Sequence, residues 1–264
     1  MAEASGPRAA WSGSTVTQDQ IAELWDRGAL PMPDLVSCRI PPAGEVVPAP
    51  EADERVVLYS HLTRGFGLPA SGFMRDFLHH FGIQMHHLPA NGVLFLAGYV
   101  TGTEAYLGLH PRVEHWARFF FLRPQTHGGR LVDCGGASVY NRNVGWPKLP
   151  RHDLAKGWYR TYFYVWNATA TDHINLPPYS DIQLPAAQPH WSYDPWRSDN
   201  DTQVSADWMQ ELVSLGLTGR DLLMPWVSRR VIPLQRRPHK LCFLSGLRDP
   251  SRTAREVMYE VEDD

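Results

Sequence analysis

The chain has 264 residues, of which 43% are hydrophobic and 20% charged, and a formal net charge of −3 from 25 Lys+Arg against 28 Asp+Glu. That composition excludes bulk disorder, collagen and coiled coil, and the charge supplies no overall field for nucleic acid or anionic lipid, so any such binding must be local. Cys38, Cys134 and Cys242, odd in number and far apart, fit neither a disulfide framework nor a zinc motif, and suit a reducing intracellular setting, nuclear or cytoplasmic.

Residues 1–14 are small and polar and read as a disordered N-terminus without the apolar core of a secretory signal. Thr17 as N-cap, Gln20 as its capping-box partner and Ile21, Leu24 and Trp25 at helical spacing predict a first helix, which Gly28 ends. Six prolines from Pro31 to Pro50 remove backbone donors, so this stretch is expected as an ordered extended arm, neither helix nor central strand. The β-branched run Arg55–Tyr59 predicts a strand, closed off by Gly65, Gly67 and Pro69. Ser71 caps a helix with Phe73, Phe77 and Phe81 at i, i+4 and i+8, joined by Met74 and Leu78 in one core-facing stripe. Pro89 suits the first turn of a second helix, Val93–Leu107, apolar nearly all round and so expected inside a helical cluster. The greasiest stretch, Gly92–Val100, falls well short of the ~18 residues that span a bilayer, and no membrane contact is expected. Pro111 starts a third helix that turns Val113, Trp116, Ala117, Phe120 and Phe121 inward and stops before Pro124.

Beyond it, Arg130–Tyr140 and Gly157–Trp166 are rich in aromatic and β-branched residues with glycine borders, which predicts two strands paired with each other. Proline, Asp, Asn and Ser between residues 167 and 202 predict a long surface loop or a linker. Two short helices follow, Val204–Leu215 and Gly219–Arg230, the second capped by Thr218, and residues 256–264 form an acidic tail. The expected fold class is mainly α (α+β): a helical bundle over residues 71–122, a small antiparallel β-sheet over 130–166, and C-terminal helices over 203–230, in one domain.

Few groups suggest chemistry. The pairs His79-His80 and His86-His87 could supply metal ligands, but helical neighbours point about 100° apart, no H-x-x-x-H spacing is present, and Gly82 interrupts the turn. Packed or surface histidines are the expectation. Gly65-Phe66-Gly67-Leu68-Pro69-Ala70 fits the G-x-G-x-x-A dinucleotide pattern between a strand and a helix, yet no acid between Asp76 and Glu104 can take the ribose hydroxyls. The glycines read instead as a turn into the helix, with Pro69 setting its direction. Gly136-Ala137-Ser138 begins a nucleophile elbow, but Tyr140 stands where the second glycine belongs, and Cys134 reads as a small buried residue. Asp133, Asp153, Asp172 and Asp181 are scattered and assemble no nuclease triad by spacing. No catalytic residue, cofactor site or metal ligand is assigned. Arg229, Arg230, Arg236, Arg237 and Lys240, with no acid between Asp221 and Arg248, form a basic patch that could hold phosphate or face the acidic tail.

Between Arg39 and Pro111 stand, in this order, Gly44-Glu45, Pro48, Arg64-Gly65-Phe66-Gly67-Leu68-Pro69, Phe77-Leu78, His86-His87-Leu88, Asn91 and Glu104. Through these residues the stretch resembles the domain of the gypsy-type transposon (transposase) family of plants. The likeness extends through Trp158–Trp166 and Arg229-Arg230-Val231-Ile232-Pro233-Leu234 to Asp249-Pro250, covering about residues 15–255. Thr103 stands where the family pattern has Cys. The resemblance implies transposon origin and a domain at the front of a longer product with a helical tail; it brings no catalytic residues or cofactor to carry over. The chain shows no Tyr-x-Asp-Asp motif, acidic integrase triad or Cys/His knuckle of its own. The expected function is non-enzymatic, acting through a protein partner or self-association. The alternatives are a nucleic-acid-binding accessory protein using residues 229–240 and a cryptic nuclease.

Overall fold

Capping chemistry sets the first helix where the sequence predicts it. In the computed structural model, which describes residues 11–26, 28–127, 130–132, 134–149, 157–180, 189–192 and 199–226, the Thr17 N–H donates to Gln20 Oε1 (3.0 Å) and the Gln20 N–H to Thr17 Oγ1 (3.3 Å). These bonds satisfy donors that a helix start otherwise leaves open. Helix α1 (Gln18–Asp26) buries Ile21 and Leu24, and Gly28 follows it at φ +62°. The proline-rich arm then contributes an edge strand, β1 (Val36–Arg39), between Pro33 and Pro41, where missing backbone donors are harmless. Strand β2 (Arg55–Leu58) comes next, and both pair antiparallel with β7 (Tyr162–Asn167) in the order β1-β7-β2. The aromatic run is thus a central strand: Tyr162, Phe163, Tyr164 and Val165 are all fully buried.

Tyrosines on β7 hold the arm down. The Tyr164 hydroxyl donates to the Glu45 carboxylate and accepts from the Ala49 N–H (2.8 Å), while the Tyr162 hydroxyl donates to the Glu45 carbonyl (2.9 Å). Burial first, and then the Glu45 carboxylate, raise both phenols, Tyr162 to about 12, so they stay protonated anchors. Beside them Arg39 forks onto the buried Glu54 carboxylate at 2.5 and 2.6 Å, and its guanidinium lies 4.2 Å from the Tyr164 ring centre.

The short helix α2 (Tyr59–Leu62) leads through the glycine turn to α3 (Gly72–Phe81), whose cap is Ser71 Oγ accepting from the Met74 N–H (3.2 Å). The predicted stripe Phe73, Met74, Phe77, Leu78 and Phe81 is buried, and Gly82 ends the helix at φ +62°. Phe77 packs edge-on against Trp116 at 4.8 Å, and Phe81 meets the same indole at 5.2 Å. After Pro89, α4 (Ala90–Thr101) is buried on nearly every side, as its composition predicts, and runs into one wide π turn over Gly102–Tyr106. Gly102 is required there, because a Cβ would lie 2.6 Å from the Trp146 ring. Helix α5 (Val113–Phe119) follows, then β3 (Phe120–Pro124), β4 (Thr126–His127), β5 (Arg130–Leu131) and β6 (Ala137–Asn141). The chain closes its described part with α6 (Asn200–Ser214), capped by Asp199, and α7 (Gly219–Trp226), which opens on the predicted Thr218 cap.

Four expectations are overturned. The fold is not a helical bundle with one small sheet: short helices of 4 to 15 residues are interleaved with a three-stranded sheet and two two-stranded ones, a mixed α/β arrangement. The third helix stops at Phe119, because the run Phe119-Phe120-Phe121-Leu122 suits a pleated strand better than a further helical turn. Strands β6 and β7 are not partners. Phe120–Pro124 takes β6, and the arm and Arg55–Leu58 take both edges of β7. Nor is the segment after residue 167 merely a surface loop: Ile174 and Leu176 are buried, and the buried Trp191 indole donates to the Phe81 carbonyl (2.9 Å).

Candidate functional site

Glycines and a proline shape a sizeable hollow among the described residues. Gly65 takes φ +101°, a conformation side chains resist, and swings Phe66–Pro69 away from α2 before Ser71 starts α3. The turn reading of the G-x-G-x-x-A motif therefore holds: its residues wall a cleft instead of opening a βαβ unit. The facing wall is α4, whose Val93, Leu96, Ala97 and Val100 recur at i, i+3, i+4 and i+7 and so lie on one side. Between the walls is a cavity of about 430 Å³, within the size range of ligand sites. Its lining is mostly apolar. Ser71, Glu104 and His110 contribute the polar side chains, Glu104 being carried there by the π turn. Such turns often mark functional positions.

The histidine pairs separate, as the glycine between them suggests. His79 and His80 end α3 on its exposed side, where His80 meets the Phe81 ring at 4.7 Å, and burial together with His190 lowers its pKa. His86 and His87 are buried in a tight turn, Met85–His87, with ring centres 4.0 Å apart; His87 Nδ1 accepts from the Gln84 N–H (3.0 Å). His61 joins that region, its Nε2 3.0 Å from the Leu88 carbonyl and its ring stacked on Trp158 at 5.6 Å. Burial holds the pKa of His86 well below the ordinary histidine value, and neighbouring His87 and His61 push the same way. The space beside His86 is about 20 Å³, room for one water, and among the described residues no three His, Cys, Asp or Glu side chains are placed to hold a metal ion.

Cys134 is fully buried among Trp158, Tyr162 and Tyr164, matching the packed reading, and Cys38 is pushed up to about 12 by burial. Arg229, Arg230, Arg236, Arg237 and Lys240 lie outside the described residues, as do Asp133, Asp153, Asp181 and the acidic tail. The sequence reading missed the cleft. Because α4 is apolar all round, its periodicity could not distinguish the side facing the core from the side lining the hollow.

Comparison with known families bears on the same stretch. Residues 56–124 match the family described as "Putative gypsy type transposon". The resemblance read from the sequence is thereby shown over this segment, a shorter span than residues 15–255. No curated protein and no solved structure matches the chain. All the cleft-lining residues except Gly28 and Ala29 belong to the transposon-family segment. Among the described residues, no helix is long and apolar enough to cross a membrane.

Proposed function

We propose that this transposon-related chain is a non-enzymatic binding module whose cleft takes two or three apolar side chains from a segment of a protein partner. The observation that carries the reading is the lining. A preformed hollow of about 430 Å³ is walled by Phe66, Leu68, Phe73 and Met74 on one side and the α4 stripe on the other, and it coincides with the family-matched segment. Apolar walls with a few polar groups at the margin favour burial of aliphatic or aromatic side chains over polar substrates. Burying one large side chain there contributes about 2 kcal/mol, or roughly 30-fold in affinity.

Gly72 provides a clean test. It lines the cleft at the first turn of α3, and a Cβ added there meets no atom within 4 Å, so Gly72→Leu adds bulk at the cleft rim with no clash at its Cβ. Peptides selected by phage display on the wild-type chain should carry closely spaced large apolar residues. Their affinity, measured calorimetrically, should fall roughly 30-fold in Gly72→Leu at unchanged melting temperature. Selected peptides that bind Gly72→Leu and wild type equally would place recognition elsewhere and overturn the proposal. Concentration-dependent dimerisation abolished by the same substitution would identify the partner as a second copy.

A further inference from the structure

The outward face of the β3–β6 ribbon shares no residue with the cleft. Alternation along β3 sends Phe120 and Leu122 into the core and leaves Phe121 and Arg123 on the other side; in β6, Ala137 and Val139 go inward and Ser138 and Tyr140 outward. Register places Phe121 directly opposite Tyr140, and their rings stack at 5.6 Å and 30°. The Arg123 guanidinium lies 5.1 Å from the Phe121 ring centre and 5.3 Å from that of Tyr140, while Arg142 approaches Phe121 to 5.1 Å. Arg142 is held in place by hydrogen bonds to the carbonyls of Ala117 (2.8 Å), Phe120 (3.0 Å) and Ser192 (2.8 Å). Gln125 donates to the Tyr140 hydroxyl (3.2 Å), steadying the second ring. The result is a platform of two aromatic rings and two guanidinium planes, half-buried except for the exposed Arg123.

The sequence that forms the ribbon is basic. From His115 to His152, between Glu114 and Asp153, it contains Arg118, Arg123, Arg130, Arg142, Lys148 and Arg151 against the single acid Asp133, in a chain whose net charge is −3. Local positive charge beside flat π and guanidinium surfaces matches a ligand that alternates anionic groups with planar rings. We infer that the β3–β6 face binds single-stranded nucleic acid, with bases stacking at Phe121 and Tyr140 and a phosphate drawn by the exposed Arg123. A duplex hides its base faces and fits this surface less well than a strand whose bases are splayed. The platform shares no residue with the basic run at residues 229–240, so the two can be told apart by mutation.

The test is fluorescence anisotropy of the full chain with labelled oligo(dT) and oligo(U) of about ten nucleotides, and with a duplex of equal length, at about 50 and about 200 mM salt. Single strands should bind more tightly than duplex. Arg123→Gln should flatten the slope of log K against log salt by roughly 0.7, and Phe121→Leu or Tyr140→Leu should weaken binding roughly tenfold with the slope unchanged. Arg123 is exposed, so its variant keeps the test decisive should either ring variant fold poorly. Three results would overturn the inference: no binding of single strands at the lower salt, wild-type binding by Arg123→Gln, or an acidic peptide binding as tightly as the oligonucleotides. So would binding lost only when Arg229, Arg230, Arg236, Arg237 and Lys240 are replaced, which would assign the contact to the C-terminal basic run.

Discussion

Acidification from about pH 7 to 5 should cost this protein stability through the buried His61. Its side chain is 1% exposed, Nε2 faces the Leu88 carbonyl, and Nδ1 has no hydrogen-bond partner. Nε2 must therefore carry the proton of a neutral ring, donating to Leu88. Burial lowers the pKa from 6.5 to about 3, Arg64 adds to the shift, and the Leu88 carbonyl opposes it. Because the folded value is depressed, the unfolded chain takes up a proton that the native state refuses. Stability is whole above pH 6.5 and is lost as pH falls from 6.5 towards 3. One such proton gives a slope of about 1.4 kcal/mol per pH unit, hence a loss of about 2 kcal/mol between about pH 6.5 and 5. That is a large share of a total stability of about 5–15 kcal/mol. His86 titrates in the same direction and steepens the fall. Urea unfolding followed by tryptophan fluorescence at about pH 7 and pH 5 measures it. His61→Gln keeps a donor for Leu88 but cannot titrate, so it should cost stability at neutral pH through the lost Trp158 stack while removing about 2 kcal/mol of the acid loss. Equal acid losses in wild type and His61→Gln would refute the reasoning.

Two further outcomes follow from packing. Phe77→Ala removes a fully buried ring that touches Phe73, Phe81 and Trp116, and should cost about 3–5 kcal/mol by chemical unfolding; a loss below about 1 kcal/mol would mean the aromatic cluster closes over the gap. Gly102→Ala forces a methyl to within 2.6 Å of the buried Trp146 ring and should cost about 1–3 kcal/mol, measured as a lower melting temperature; melting at the wild-type temperature would show that Trp146 yields freely.

The transposon-family match and the cleft coincide without either explaining the other's chemistry. The segment brings no assigned catalytic group, and its buried histidines go into packing: His61 stacks on Trp158 and His86 sits between Trp11 and His87. What distinguishes the segment physically is a glycine turn held open against an apolar helix.

Local chemistry was legible in the residues. The Thr17–Gln20 box, the Ser71 and Thr218 caps and the Phe73–Phe77–Phe81 stripe depend on atoms within a turn or two of each other, so the amino-acid order alone predicts them. Pairing was not legible, because a strand's partner is whichever edge the folded chain brings alongside. Strand β7 took a piece of the proline arm and Arg55–Leu58, and β6 took the aromatic run that otherwise reads as the end of a helix. The same reason hides both surfaces proposed to bind. Phe121, Arg123, Tyr140 and Arg142 become one platform only through register across the ribbon. Helix α4 is apolar on every side, so only its packing, with Tyr99 bonded to Arg112 and Gly102 against Trp146, decides that the Val93–Leu96–Val100 side is the one left lining a hollow.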